Sequence, residues 1–264
     1  MLTNLRMYSF LVVFCGINPS LTSGCNKLHF SGRGNKFYEC LLYAGLISPG
    51  TTFKEAPNFP QRFSLGLTDL VSRTTASVKE LKAYEKRQSV PAFLRKIVEC
   101  QPRLVCFVSL AIGETVSKAI FCPWAKPKAP RKGKKKDNNA SLLPRRRGLR
   151  KGALQLSCTG ERKAKLPSSE EKSEPSRNLA DIQAYLLPFK LRYSEHDVTS
   201  GNAAETLFFA LPSTSGANSC SYYLADKRQL FVDLHAQLQL IKEGSPDAPN
   251  TSDFEVIDIT TLRA

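Results

Sequence analysis

The side chains of this chain that are best placed to do chemistry lie in a polar loop, residues 18–34. The loop follows a short apolar run that ends abruptly in Gly16-Ile17-Asn18-Pro19, and it contains serine, threonine and three glycines. Asn35 then opens an aromatic segment, NKFYECLLYAGL, with the apolar spacing of a helix. α/β proteins form ligand sites at the carboxyl end of a buried strand, where a polar loop leads from the strand into a helix. The stretch 11–35 is therefore predicted to hold a site.

Eight cysteines could bind a metal ion, but their spacing gives a metal site little support. No two of them have the CxxC spacing that is typical of zinc and iron–sulfur sites. Several, including Cys15, Cys100 and Cys106, lie inside apolar runs. We therefore expect buried free thiols in a reducing compartment, with a zinc or iron–sulfur site as the less favoured alternative.

The net charge of +15 predicts a polyanionic partner, either nucleic acid or an anionic membrane surface. Of the 38 lysines and arginines, 17 lie between Lys126 and Arg177, against five acidic residues. The basic runs PRKGKKK (130–136) and PRRRGLRK (144–151) favour DNA tethering and nuclear import. Candidate DNA contacts there are Lys134, Lys135 and Arg146; a merely solvated segment is the alternative.

The elements that must position these residues follow from the apolar pattern. Buried strands are predicted at 8–17, 103–109 and 206–211, with a shorter strand within 63–71; helices are predicted at 35–46, 79–101 with a break at Pro91, 111–120 and 221–242. Right-handed crossovers then give a mostly parallel sheet. The polar loops after its strands should meet at one edge and form the site.

The composition divides the chain into a single domain with one large insertion. Residues 1–122 and 180–243 are predicted to form the domain. Residues 123–179 have too little apolar surface to offset the entropy of ordering and are predicted to be disordered. Residues 244–264 are predicted to form a flexible acidic and apolar tail.

A secretory signal is an alternative use of the first segment. Arg6 followed by the apolar residues 8–17 is similar to a signal peptide. The run ends in Asn-Pro, however, and the chain carries basic runs of the nuclear type. The run is also too short to span a bilayer, so no membrane partner is expected.

Four blocks resemble the mismatch-specific uracil/thymine-DNA glycosylases, a branch of the uracil-DNA glycosylase superfamily. They are VVFCGINPSL, HFSGRGNKFYECLLYAGL, GLTDLVSRTT and ALPSTSG, in the family's order. The resemblance implies an α/β fold, namely a three-layer α/β/α sandwich with a short, mostly parallel central sheet. It implies an enzyme that flips uracil or thymine mispaired with guanine out of duplex DNA and hydrolyses its N-glycosidic bond, without metal or cofactor. We expect the protein to be a monomer, and the basic runs predict that it acts in the nucleus.

The resemblance also implies roles for particular residues. Asn18 matches the asparagine that holds the attacking water, and Thr75 matches a threonine beside that water. Substrate-binding positions are Ile17, His29, Phe30, Asn35 and Asp69, and DNA-binding positions are Ser213, Ser215, Gly216 and Ala217. Each has a simpler reading as a turn, helix-cap, core or loop residue.

Three positions depart from the family pattern. Ser20 replaces a glycine, and Ser109-Leu110 replaces a Gly-Lys pair. Ala217 replaces the larger Leu or Arg that fills the gap left by a flipped base, so either another residue, such as Asn218, fills that gap or base flipping is less favourable.

The tail suggests a second partner. Val256, Ile257 and Ile259, flanked by acids, resemble a SUMO-interaction motif, which adds as a strand to a partner's sheet. The alternative function is therefore a catalytically weak or inactive DNA-binding or SUMO-linked adaptor with a degenerate pocket.

Overall fold

A computed structural model describes residues 9–121, 185–194, 203–216 and 223–260. Within these residues a central sheet has the strand order β2-β1-β3-β5-β4-β6. The strands are β1 Val12–Gly16, β2 Leu65–Asp69, β3 Leu104–Phe107, β4 Leu186–Arg192, β5 Glu205–Ala210 and β6 Glu255–Ile257. The first four in sheet order are parallel, whereas β4 runs antiparallel to β5 and β6 runs parallel to β4. The prediction of a mostly parallel α/β sheet is confirmed.

Helices cover both faces of this sheet. They are α1 Leu21–Asn26, α2 Phe37–Tyr43, α3 Phe59–Phe63, α4 Ala83–Gln88, α5 Val90–Cys100, α6 Leu110–Phe121 and α7 Leu224–Glu243. Alternate β1 residues point to opposite faces: Phe14 joins the core under α2, α3 and α7, and Val13 joins the core under α5 and α6. The α/β/α sandwich is therefore built from two apolar layers.

The parallel strands bring several loops to one edge of the sheet. Beyond β1 and β2 the ladder continues, since Leu70 N donates to Gly16 O and Val71 N donates to Ile17 O, both at 2.9 Å. The chain that leaves β1 therefore runs beside the chain that leaves β2. This pairing is what positions the predicted site.

Local structure differs from the prediction in two loops. The loop 18–34 contains α1, whose N-cap is Ser20; its side chain accepts a hydrogen bond from Ser23 N at 3.2 Å. The segment 47–62, where no helix or strand is predicted, forms a 3-10 helix, Phe53–Asn58, and then α3, which extends to Phe63 and has Pro60 in its first turn. Proline fits the first turn because that position needs no N–H donor. The predicted break in 79–101 is confirmed, with Pro91 in the first turn of α5.

Strand β4 is not predicted by the apolar pattern, because Pro188 and Lys190 interrupt it. The Lys190 side chain is only 4% exposed. Its ammonium contacts Glu205 at 3.1 Å and Thr251 Oγ1 at 3.2 Å. These bonds satisfy a charge that would otherwise oppose burial.

The tail, predicted to be flexible over 244–264, differs from that expectation at Glu255–Ile257, which form β6 on the edge of β4. Ile257 and Ile259 pack against the core, while Val256 is 41% exposed. Apolar burial and strand pairing together order this segment. The predicted insert, 123–179, lies outside the described residues, so the domain boundaries stay predictions.

Candidate active site

Asn18 and Thr75 lie together at the carboxyl end of β1. Asn18 Nδ2 donates to Thr75 Oγ1 at 2.8 Å and to the carbonyl oxygen of Arg73 at 2.8 Å. The backbone holds them there: Thr75 N donates to Pro19 O at 3.2 Å, and Ser20 and Thr75 form a parallel bridge. Two residues that are 57 positions apart in sequence thus form one unit.

The hydrogen bonds of Asn18 fix which way its amide faces. Carbonyl oxygens only accept, so the atom beside Arg73 O must be the amide nitrogen. The other amide atom, Oδ1, has no hydrogen-bond donor among the described residues. Asn18 is therefore arranged to accept a hydrogen bond from a water molecule, although an amide cannot take the water's proton.

His29 and Asp69 form a pair beside the end of β1. His29 Nδ1 donates to Asp69 Oδ2 at 2.8 Å, and the Asp69 side chain is only 9% exposed. Asp69 is in register with Gly16 across the β1–β2 ladder. A Cβ at Gly16 would overlap Asp69 Oδ1 and lie 3.2 Å from the Phe30 ring. Glycine is thus required there for the carboxylate and the ring to occupy their places.

Phe30 lies beside this pair in an unusual backbone conformation. Its φ is +55°, a region that L-residues seldom adopt. The Phe30 ring stacks on Phe37 with the centroids 4.0 Å apart and the planes 24° from parallel. Tyr38 holds the same loop by donating its hydroxyl to His29 O at 2.7 Å, and burial raises the pKa of that phenol. Phe30 is therefore held in this strained conformation by the packing of its ring on Phe37 and by the hydrogen bond from Tyr38 to the preceding carbonyl group.

Asn35 connects this loop to the one that follows β5. Asn35 Oδ1 accepts hydrogen bonds from Phe37 N at 3.0 Å and from Thr214 Oγ1 at 2.9 Å. The reading as a helix-capping residue is thus supported, although the helix proper begins at Phe37 after Lys36. Among the described residues, none accepts a hydrogen bond from Asn35 Nδ2, which is left to donate to a ligand.

The other predicted site residues are distributed less closely. Ile17 packs against the core under α5 and α6. In the loop after β5, Ser213 Oγ accepts from Ser215 N at 3.2 Å, and Gly216 lies against Gly34. Ala217, Lys134, Lys135 and Arg146 lie outside the described residues. Sequence reasoning missed Tyr38 and Thr214, whose positions in an aromatic helix and a serine-rich loop carried no distinguishing signal.

The described cysteines are free, and four of the five are buried. Burial raises the pKa of the thiols of Cys15 and Cys106, and raises that of Cys100 to about 12, which keeps them protonated. Cys25 is exposed. In the same part of the chain, no group of three or more His, Cys, Asp or Glu residues is arranged to hold a metal ion.

No helix among the described residues is both long enough and apolar enough to cross a membrane. In comparison with known protein families, the model of the uracil DNA glycosylase superfamily matches residues 9–238. The match spans the parallel strands β1, β2, β3 and β5, with Asp69 at the end of β2, and the loops that carry Asn18, Thr75 and Ser213. The chain therefore belongs to the uracil DNA glycosylase superfamily, whose members are DNA N-glycosylases of base-excision repair.

Proposed function

We propose that this protein is a monofunctional DNA glycosylase of the mismatch-specific branch, which removes uracil, and also thymine, mispaired with guanine and so initiates base-excision repair. The observation that carries the proposal is the amide of Asn18. Thr75 and Arg73 hold its nitrogen, and its oxygen is left without a donor among the described residues. This is the arrangement needed to orient a water molecule for hydrolysis.

The base reaches such a site only after it has left the duplex. A glycosylase flips the nucleotide into a pocket at a cost of a few kcal/mol, and a mispaired base costs less to extrude than a paired one. The Phe30 ring would stack on the flipped pyrimidine. The edge of the base would be read by the free N–H groups of Asn35 and by the Asp69–His29 pair, with the Asp69 carboxylate accepting from a base N–H.

Hydrolysis then requires a positioned nucleophile more than a strong base. Departure of the base leaves an oxocarbenium-like sugar, which water attacks readily. Asn18 Oδ1 would accept one hydrogen of that water and leave a lone pair directed at the sugar. Because an amide is not a general base, the enzyme lacks a contribution of roughly 10²–10⁴-fold, and slow turnover is expected.

The proposal extends to DNA binding outside the pocket. Ser213, Ser215, Gly216 and Ala217 would grip the phosphate and enter the duplex, while Lys134, Lys135 and Arg146 would tether the protein to DNA. The basic runs at 130–136 and 144–151 would also direct it to the nucleus. We propose that it acts as a monomer.

The experiment is a single-turnover cleavage assay on five substrates: duplexes with G·U, G·T, A·U and G·C pairs, and single-stranded DNA with uracil. The proposal predicts cleavage of G·U first, slower cleavage of G·T and none of G·C. The Asn18→Ala variant supplies the background rate, and Asn58→Ala, which changes an exposed asparagine without a side-chain capping bond, is the matched control.

The same assay separates this proposal from the adaptor alternative. Binding to a G·U duplex without cleavage by the wild type would favour a DNA-binding adaptor. For a SUMO link through Val256, Ile257 and Ile259, the partner's strand would have to add outside β6 or displace it from β4. The pairing of β6 with β4 makes that link the less favoured reading.

A further inference from the structure

Two loops at the proposed site are joined by a buried threonine that no assigned role includes. One loop, residues 30–36, holds Phe30 and Asn35. The other, residues 211–216, follows β5. Thr214 lies in the second loop, is 1% exposed and contacts the first loop with both its side chain and its backbone. We propose that Thr214 is a positioning residue that couples the DNA-contacting loop to the base pocket through Asn35.

Three independent contacts link the two loops. Thr214 Oγ1 donates to Asn35 Oδ1 at 2.9 Å, and Lys36 N donates to Thr214 O at 2.9 Å. Gly216 lies so close to the other loop that a Cβ there would be 2.9 Å from Gly34 O. Backbone, side chain and close packing therefore join the same two segments.

Thr214 also limits which atoms of the Asn35 amide can bind a ligand. Phe37 N is a donor, so the amide atom beside it must be Oδ1. The Thr214 hydroxyl donates to the same oxygen and occupies its second lone pair. Both acceptor positions of Asn35 are thus used within the protein, and its two N–H donors are the groups that remain for a ligand.

The donor role of Asn35 favours some pyrimidine bases over others. A carbonyl oxygen on the pyrimidine edge accepts a hydrogen bond from such an N–H, whereas an exocyclic amino group at the same position presents another donor and is disfavoured. Thr214 therefore favours uracil and thymine over cytosine by holding Asn35 as a donor. This inference rests on the proposed function, since it assigns Asn35 to the base.

The coupling has a direct consequence for base flipping. The loop 211–216 is the one proposed to grip the DNA backbone, so a displacement of that loop on DNA would be transmitted through Thr214 to Asn35. Loss of the hydroxyl would loosen Asn35 without removing any group that touches the base.

The test is a double-mutant cycle on single-turnover cleavage of a G·U duplex, with Thr214→Val and Asn35→Ala. Thr214→Val should lower the rate about tenfold, because the hydrogen bond that orients a partly buried amide is removed. In the Asn35→Ala background it should have less than about a twofold effect, because Thr214 acts through Asn35. Thr214→Ser, which keeps the hydroxyl, should restore the rate to within about twofold of the wild type.

A control variant, a replacement variant and a separate measurement of base flipping keep this test falsifiable. The matched control is Thr206→Val, another buried threonine, whose hydroxyl donates to Pro102 O and lies away from the pocket loops. It should change the melting temperature but not the rate. If Asn35→Ala does not fold, Asn35→Ser replaces it in the cycle. A fluorescent base next to the mispaired uracil reports flipping separately from cleavage, and Thr214→Val should reduce that signal too.

Additive effects of the two substitutions on an active enzyme, or full activity of Thr214→Val, would overturn the coupling while leaving the proposed function intact. A wild type that neither flips nor cleaves the G·U substrate would overturn the proposed function itself, and the coupling with it. Non-additivity together with rescue by serine supports the coupling.

Discussion

At the scale of single residues, the site depends on side chains that position one another. Asn18 is oriented by Thr75, His29 is paired with Asp69, and Asn35 is bonded to Thr214. Among the described residues, Asn18 Oδ1 and Asn35 Nδ2 are left without a hydrogen-bond partner, while Thr75 and Thr214 fix the direction of each amide. Such mutual support is what a preorganised site requires.

Gly16 supplies a test of the pocket that alters no polar group. Gly16→Ala would place a methyl group where Asp69 Oδ1 lies and would press on the Phe30 ring. We expect the Asp69–His29 contact to break, the cleavage rate on G·U to fall at least about tenfold, and the free energy of unfolding to drop by about 1–3 kcal/mol. Single-turnover assays and urea denaturation measure the two effects.

The matched control for this prediction is Gly66→Ala. Its Cβ would lie 2.8 Å from Val13 Cγ2, in the core near the start of β2 and away from the pocket. It should lower stability by a similar amount and leave the cleavage rate close to that of the wild type. Equal reductions of the rate in the two variants would mean that destabilisation alone, rather than the pocket, explains the effect.

At the scale of elements, one carboxylate of β5 forms ion pairs with two basic side chains of β4. Glu205 accepts hydrogen bonds from Lys190 at 3.1 Å and from Arg192 at 2.7 Å. Burial raises the pKa of Glu205, but the hydrogen bonds from Arg192 and Lys190 outweigh it, and the pKa is lowered. A carboxyl group whose pKa is lowered by folding stabilises the protein above its unfolded-state value of about 4.3.

This contribution should disappear as the pH falls through the lowered pKa of Glu205. Glu205→Gln should therefore be clearly less stable than the wild type at pH 7, and the difference should shrink as the pH falls below about 4. Urea denaturation at several pH values measures this, with Glu99→Gln, an exposed position on α5, as the control. A difference that is the same at neutral pH and at about pH 3 would contradict the assignment.

The elements also show how much of the structure is accessible from sequence. Strands β1, β3 and β5 can be predicted because they are continuous apolar runs, which parallel buried strands require. Strand β4 cannot, because its Lys190 is buried, and the contacts with Glu205 and Thr251, both distant in sequence, make that burial possible. The strand at Glu255–Ile257 cannot be predicted because three residues are too few to show the alternating apolar pattern of a strand.

The residues of the candidate site also differ in how far the sequence alone points to them. Asn18, Thr75 and Asp69 can be named as candidates from the sequence because their motifs resemble those of a glycosylase family. The partnership of His29 with Asp69 and that of Asn35 with Thr214 cannot, because each joins residues that only the register of β1 with β2, or the packing of two loops, brings together. Such pairings are properties of tertiary structure and leave no local pattern.

At the scale of the whole molecule, the positive charge is concentrated in a part of the sequence outside the loops of the candidate site. The segment between Lys126 and Arg177 holds 17 of the 38 basic residues. If it tethers the enzyme to DNA, deleting residues 125–177 should reduce the salt dependence of binding. The log–log slope should fall by about 0.9 for each phosphate that the segment neutralises in the intact chain. Fluorescence anisotropy over a series of salt concentrations measures the slope.

The control for the deletion is a chain in which a neutral serine- and glycine-rich linker of equal length replaces the segment. Both variants should show the same reduced slope and a cleavage rate at saturating enzyme close to that of the wild type. An unchanged slope would show that DNA affinity comes from the rest of the chain alone.

The central claim is that Asn18 orients the water that cleaves the N-glycosidic bond. It is tested most directly by the single-turnover rate of Asn18→Ala on a G·U duplex at saturating enzyme, measured together with the affinity for the same duplex. The account predicts a rate at least about 10²-fold below that of the wild type and of Asn58→Ala, with the affinity changed less than about threefold. A rate within about fivefold of the wild type would contradict it.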